Sequence, residues 1–183
     1  HTHNDEYAVR YIKESVQLNH QYQQQLRNTP LWQNFLATNP DWFVIFNENN
    51  QLPHRAFGTP IATNNLFTFL STNDFSLPTD LREEFSIKND KYINTAYVQY
   101  YNHLEVVNSK LYAKFTINNE LVSFGLDIFS DIAISTVPSL SASDAIVAAS
   151  INITHTISNQ KVEQELKILP IPAQGKYTYH LVY

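Results

Sequence analysis

Between Tyr97 and Gly125 the sequence alternates apolar and polar residues over successive short stretches, and the joints between them are turn residues. Tyr97, Gln99 and Tyr101 alternate with Val98 and Tyr100. HLEVV then turns at Asn108-Ser109 into LYAKFTI, where Leu111, Ala113, Phe115 and Ile117 point one way and Tyr112, Lys114 and Thr116 the other. Asn118-Asn119 is a two-residue turn signal, after which ELVSFG returns. Period-two alternation joined by tight turns predicts an antiparallel meander with one packed face and one wet face.

Helical signals flank this meander. Asp5–Arg27 reads as a helix, with Val9, Ile12, Val16, Tyr22 and Leu26 in an apolar stripe and the Gln run 23–25 on its solvated face. Pro30 stops it, and 31–37 forms a helical turn. WFVIF (42–46) is a strand, NENN (47–50) a turn, and 52–57 the return strand, with Pro53 at its start and Gly58 at its end. Leu66–Leu70 is short and apolar, and 75–86 is a loop containing an acidic helical candidate, DLREEF. After Pro138, Ser141 and Asp144 form the capping box of a helix, with Leu140 and Ala145 as its staple. Its face of Ala145, Ala148, Ala149, Asn152 and Ile153 is small enough to lie close against a sheet. Strands at 165–169 and 177–183, joined by PIPAQG, complete a helix–hairpin unit. The fold class is α+β: antiparallel sheets with packing helices, divided into residues 1–134 and residues 135–183.

Composition narrows the function. Of 183 residues, 43% are hydrophobic, enough for a substantial core, and Tyr and Phe supply eleven each. Charged residues make up 16%, with a net charge of −5 and no Lys/Arg cluster, which argues against nucleic-acid binding. No apolar run is long enough to span a bilayer. Without cysteine there is no disulfide or thiol chemistry. Without methionine the first residue is not a native start, so we expect a piece of a longer, exported protein, secreted or at the cell surface.

Catalytic and metal signals are sparse. The histidines at 1, 3, 20, 54, 103, 155 and 180 have no tight ligand spacing, and three scattered glycines build no phosphate loop. The acidic pairs Glu83-Glu84 and Glu163/Glu165 read as solvated. His1-Thr2-His3 could chelate Cu(II) or Ni(II) with a free amine, but a frayed terminus is the simpler reading. Asn152-Ile153-Thr154 matches a glycosylation sequon inside the expected helix, which discounts it. No catalytic residue and no metal or cofactor site is expected in this chain.

Four segments, in order, resemble the propeptide of secreted zinc metallopeptidases of the fungalysin and thermolysin families, which joins an FTP subdomain to a PepSY (cystatin-like) subdomain. They are NPDWFVIFNENNQLPHRAFGTPI, YVQYYNHLEVVNSKLYAKFTI, ELVSFGLDIF, and VPSLSASDAIVAASINI followed by ELKILP and YTYHLVY. Gln99, Tyr100, Val106 and Asn108 occupy positions matching the FTP pattern, whereas Asn102-His103 stands where the family usually has Gly. The resemblance covers about residues 39–183; these 183 residues do not include the last strands expected of a PepSY-like unit, nor a peptidase domain. It implies a non-catalytic intramolecular chaperone and temporary inhibitor, partnered by the catalytic domain of a cognate metallopeptidase, with zinc only in that domain. A stand-alone extracellular or periplasmic binding module is the alternative. Candidate partner contacts are Arg55, Phe57, Tyr97 and Tyr101, since Tyr and Arg are enriched at interfaces. Arg55 could instead grip Asp41 or Glu48 across the turn.

Overall fold

The structure, a computed structural model, describes residues 17–151 and 165–183. Helix α1 (His20–Arg27) starts where Asn19, in an extended conformation, accepts a hydrogen bond from the Tyr22 N–H at 3.0 Å. The expected helix from Asp5 is therefore interrupted at Asn19, and its part before residue 17 lies outside the described residues. Pro30 opens α2 (Pro30–Thr38) rather than merely ending α1, because a first-turn N–H needs no helical partner.

Strand β1 (Trp42–Phe46) pairs with β2 (Pro53–Ala62) across the Asn-rich turn. Gly58 does not end β2 as expected. It faces Trp42, and a Cβ there would lie 2.6 Å from the indole and from the Asp41 carbonyl. Its bare backbone admits the ring, whose Nε1–H donates to the Thr59 carbonyl at 2.9 Å. Short helix α3 (Leu66–Thr72) follows, capped by Asn65.

DLREEF is not helical. Residues Leu81–Lys88 form β3, paired antiparallel with β4 (Tyr92–Tyr101). Leu81 and Phe85 have helical spacing in sequence, but the register shift between Glu83 and Phe85 and the pairing offered by β4 determine the outcome. The meander is β4, β5 (Leu104–Glu105), β6 (Lys110–Thr116) and β7 (Glu120–Asp127). Asn102 and His103 both have positive φ and join β4 to β5 tightly, which is how the chain turns without glycine. The β6–β7 turn is Ile117–Asn119, one residue longer than the expected Asn118-Asn119 turn, with Asn119 at φ 61°.

The sheet order is β1-β2-β7-β6-β4-β3, with β5 on the end of β4. One face is packed by α1, α2 and α3. There Phe35 stacks on Trp32 at 4.9 Å and meets Trp42, Phe69, Phe75 and Phe124 edge-on. Leu111 and Ala113 are fully buried on that face, as the alternation predicts, whereas Ile117, expected with them, lies in the turn and is exposed; Leu121 and Phe124, three residues apart, both reach the same face because the β6–β7 register shifts between them.

Helix α4 (Ala142–Ser150) has its expected cap, with the Ser141 hydroxyl accepting from the Asp144 N–H at 3.2 Å. Asn152, Ile153 and the sequon lie outside the described residues. Strands β8 (Lys167–Ala173) and β9 (Lys176–Val182) form a separate hairpin. Pro170 and Pro172 lie inside β8 rather than in the turn, which is Gln174-Gly175, both at positive φ. The chain is α+β, with mainly antiparallel pairing and four helices among the described residues.

Candidate interaction surface on the opening hairpin

The opening hairpin carries a bulge next to its turn. Ile45 faces Arg55 and Phe46 faces Pro53, so His54 and Arg55 together stand where one residue would. The bulge brings both side chains to the sheet face opposite the helices. His54 Nδ1 lies 2.8 Å from an Asp127 carboxylate oxygen. The Arg55 guanidinium lies over the Tyr112 ring, 4.5 Å from its centre. It crosses Gly125, where a Cβ would come within 2.4 Å of Nη1 and of the His54 carbonyl. Gly125 thus makes room for Arg55, a role invisible from its place in ELVSFG.

Arg55 pairs with neither Asp41 nor Glu48. Glu48 is taken by α1, accepting from the Asn19 N–H at 3.0 Å and from Gln23 Nε2 at 2.8 Å. Gln23 is 2% exposed, which corrects its reading as part of a solvated face. Its amide accepts from the Phe46 N–H and donates to the Phe46 carbonyl. Gln99 makes the same paired contact with Phe129, at 2.8 and 2.7 Å. The turn is also a junction: Asn50 donates to the Leu126 and Ile128 carbonyls, Asn47 to the Tyr177 hydroxyl, and Gln51 to the Gly175 carbonyl.

The four candidate contacts fall in three places. Phe57 is 46% exposed beside Phe43, at 64%, with ring centres 5.8 Å apart. Arg55 is half-buried on the same face. Tyr97 is half-buried on the helix-packed face, edge-on to Phe67 at 4.9 Å, where burial pushes its hydroxyl pKa upward. Tyr101 is half-buried against a second cluster formed by Val106, Phe129, Ile132 and Ile168. The sequence reading did not single out Phe43 and Ile45, although strict alternation in WFVIF puts them opposite Trp42, Val44 and Phe46.

Among the described residues no three His, Asp or Glu side chains gather as a metal-holding group. His180 meets Thr178, and Glu83 and Glu84 are exposed on β3; His1, His3, His155 and Glu163 lie outside the described residues. A groove of about 650 Å³ lies between α4 and β9 and is lined by Ile134, Leu140, Ile146 and Leu181 among others. No residue of α4 is buried. Its small-residue face therefore does not close onto a sheet as expected. No helix among the described residues is long and apolar enough to cross a membrane.

No protein-family model matches the chain, and no curated protein matches it. A solved structure similar to it is the Bacillus megaterium YpeB C-terminal domain, at 12% identity and a TM-score of 0.38, covering 90% of this chain and 85% of that one. A likeness at that level carries nothing about function.

Proposed function

We propose that this chain is a non-catalytic protein-binding domain of the FTP–PepSY propeptide type, acting as chaperone and temporary inhibitor of an exported zinc metallopeptidase. The observation that carries the reading is the use made of the opening hairpin. His54 and Arg55 are engaged with Asp127 and Tyr112, while Phe43, Ile45 and Phe57 remain exposed beside them on an uncovered sheet face. That arrangement suits occlusion by surface contact rather than bond-making chemistry. The capped helix and hairpin after the meander have the order that the resemblance implies.

The mechanism needs no reactive group. A domain that binds the folded peptidase and not the unfolded one shifts folding toward the native state by mass action. The same contact, held on one chain, has a high effective concentration and keeps the enzyme silent until the linker is cut. Zinc would belong to the peptidase domain alone.

The test is refolding in trans. The catalytic domain encoded in the same reading frame is diluted from denaturant with and without this chain. A higher yield of refolded enzyme, inhibited until the chain is digested, supports the reading. A frame with no His-Glu-x-x-His downstream, or no effect on either yield or activity, defeats it and favours a stand-alone binding module.

A further inference from the structure

The face opposite the helices carries more cationic side chains than an acidic chain would lead one to expect. Two rows of side chains cross this face side by side. One runs Phe43, Phe57, Ser123, Lys114, Asn94, Ile87; the other runs Ile45, Arg55, Gly125, Tyr112, Ala96, Phe85. Each basic side chain here lies over an aromatic ring: Arg55 over Tyr112 at 4.5 Å, Lys114 over Tyr92 at 4.1 Å, Lys110 over Phe85 at 5.7 Å and Arg82 over Tyr100 at 3.8 Å. Of the carboxylates on or beside the strands here, Asp127 is engaged with His54, Asp80 in a forked pair with Arg82 and Glu105 with Lys167, while Glu84, next to Phe85, is exposed. Among the described residues no carboxylate forms an ion pair with Arg55, Lys110 or Lys114. Arg55, Lys110 and Lys114 thus stand on this face without a direct carboxylate partner, on a chain of net charge −5.

A ring beneath a cation fixes its position without neutralising it and leaves its outer N–H groups available. At one end of the rows the surface is apolar: Phe43, Ile45 and Phe57 are 64%, 40% and 46% exposed, and at the other end Ile87 is 60% exposed. Contiguous exposed apolar surface framed by charge is a recognised property of interaction sites. We propose that this face docks a protein surface on which an apolar patch lies beside a group of Asp and Glu carboxylates. The apolar side chains would supply the contact area, and Arg55, Lys110 and Lys114 would set orientation and partner choice. This rests on the chain being a protein-binding domain, but not on the partner being a peptidase.

The experiment is an amide chemical-shift titration of the full chain with a capped amphipathic peptide of Glu, Leu and Phe. The same peptide with Gln for every Glu, a heparin oligosaccharide and an oligothymidylate serve as comparisons. The acidic peptide should shift residues of β1, β2, β6 and β7. Its affinity should fall roughly tenfold or more with the Gln peptide and with the double variant Lys110→Glu/Lys114→Glu, and fall again with added salt. Lys110 is exposed and Lys114 half-buried, and circular dichroism should show the variant folded; Phe43→Ser tests the apolar part separately. Shifts confined to the α4–β9 groove or the helices would overturn the proposal. So would equal binding of the Gln peptide, tighter binding of heparin or oligothymidylate on this face, or self-association seen by sedimentation equilibrium and located on this face by concentration-dependent amide shifts. None of these outcomes bears on the refolding assay, which reads yield and inhibition whichever face docks.

Discussion

Gln23 and Gln99 do the same work at two ends of the main sheet. Each is 2% exposed, and each satisfies the N–H and C=O of a phenylalanine at or just past the end of a strand, Phe46 and Phe129 respectively. Replacing Gln23 with alanine strands both Phe46 groups in a buried site, and should destabilise the fold by about 2–4 kcal/mol, measured by urea unfolding. Exposed Gln24 beside it should tolerate alanine within about 0.5 kcal/mol. If the two variants unfold alike, the clamp is unimportant. The run HQYQQQ does not distinguish the two glutamines; Gln23 is set apart by an acceptor 23 residues away. Gly125 teaches the same lesson. Alanine there would force the Arg55 guanidinium and the His54 carbonyl apart, with an expected loss of about 1–3 kcal/mol. Arg55 Nε–H should lose its Tyr112 ring-current shift, and an unchanged resonance would refute the close approach.

At the scale of elements, what could be read locally was read well. The meander follows from alternation, because side chains at successive positions must take opposite faces. The cap of α4 follows from Ser141 placed three residues before Asp144. What failed depended on distant partners. β3 looked helical because its pairing with β4 is non-local, and α4 was expected to press its alanines on a sheet that does not reach them. Beyond its own ladder, the β8–β9 hairpin is tied to the rest of the chain at a few points: Tyr179 donates to Asp131, and Val107 N–H donates to the Ile168 carbonyl at 2.8 Å. Burial, reinforced by the Asp131 carboxylate, drives the Tyr179 pKa well above the usual phenol range. The unfolded tyrosine ionises near pH ~10 while the folded one keeps its proton, so this contribution is complete below about pH 10 and declines as pH rises beyond it. Tyr179→Phe should lower stability by about 1–2 kcal/mol at neutral pH. The gap between the two proteins should narrow in unfolding titrations above about pH 10; a constant gap would mean that the hydroxyl contributes nothing through its proton.

At the scale of the molecule, two hydrophobic clusters among the described residues divide the fold unequally. The larger lies between the helices and the main sheet and contains Trp32, Phe35, Phe46 and Phe124. The smaller is Val106, Phe129, Ile132 and Ile168, joined by partly buried Tyr101, Tyr177, Tyr179 and Leu181. The backbone between the main sheet and the hairpin meets at an isolated parallel bridge, Val106 to Ile168. A small cluster with few shared backbone bonds should open at lower free energy than the main sheet, as a cooperative unit. Phe124→Ala should therefore lower global stability by about 3–5 kcal/mol and raise exchange everywhere. Ile168→Ala removes a fully buried side chain from the smaller cluster and should cost about 2–4 kcal/mol locally. Its effect on hydrogen exchange should fall on β8, β9 and Val107, leaving the β6–β7 amides nearly as protected as before. Equal loss of protection in β6–β7 would mean that the two clusters fold as one unit. Confinement of the loss to the hairpin would show that it can detach while the face bearing Phe43, Arg55 and Lys114 stays intact, separating the stability of that surface from the fate of the chain beyond residue 134.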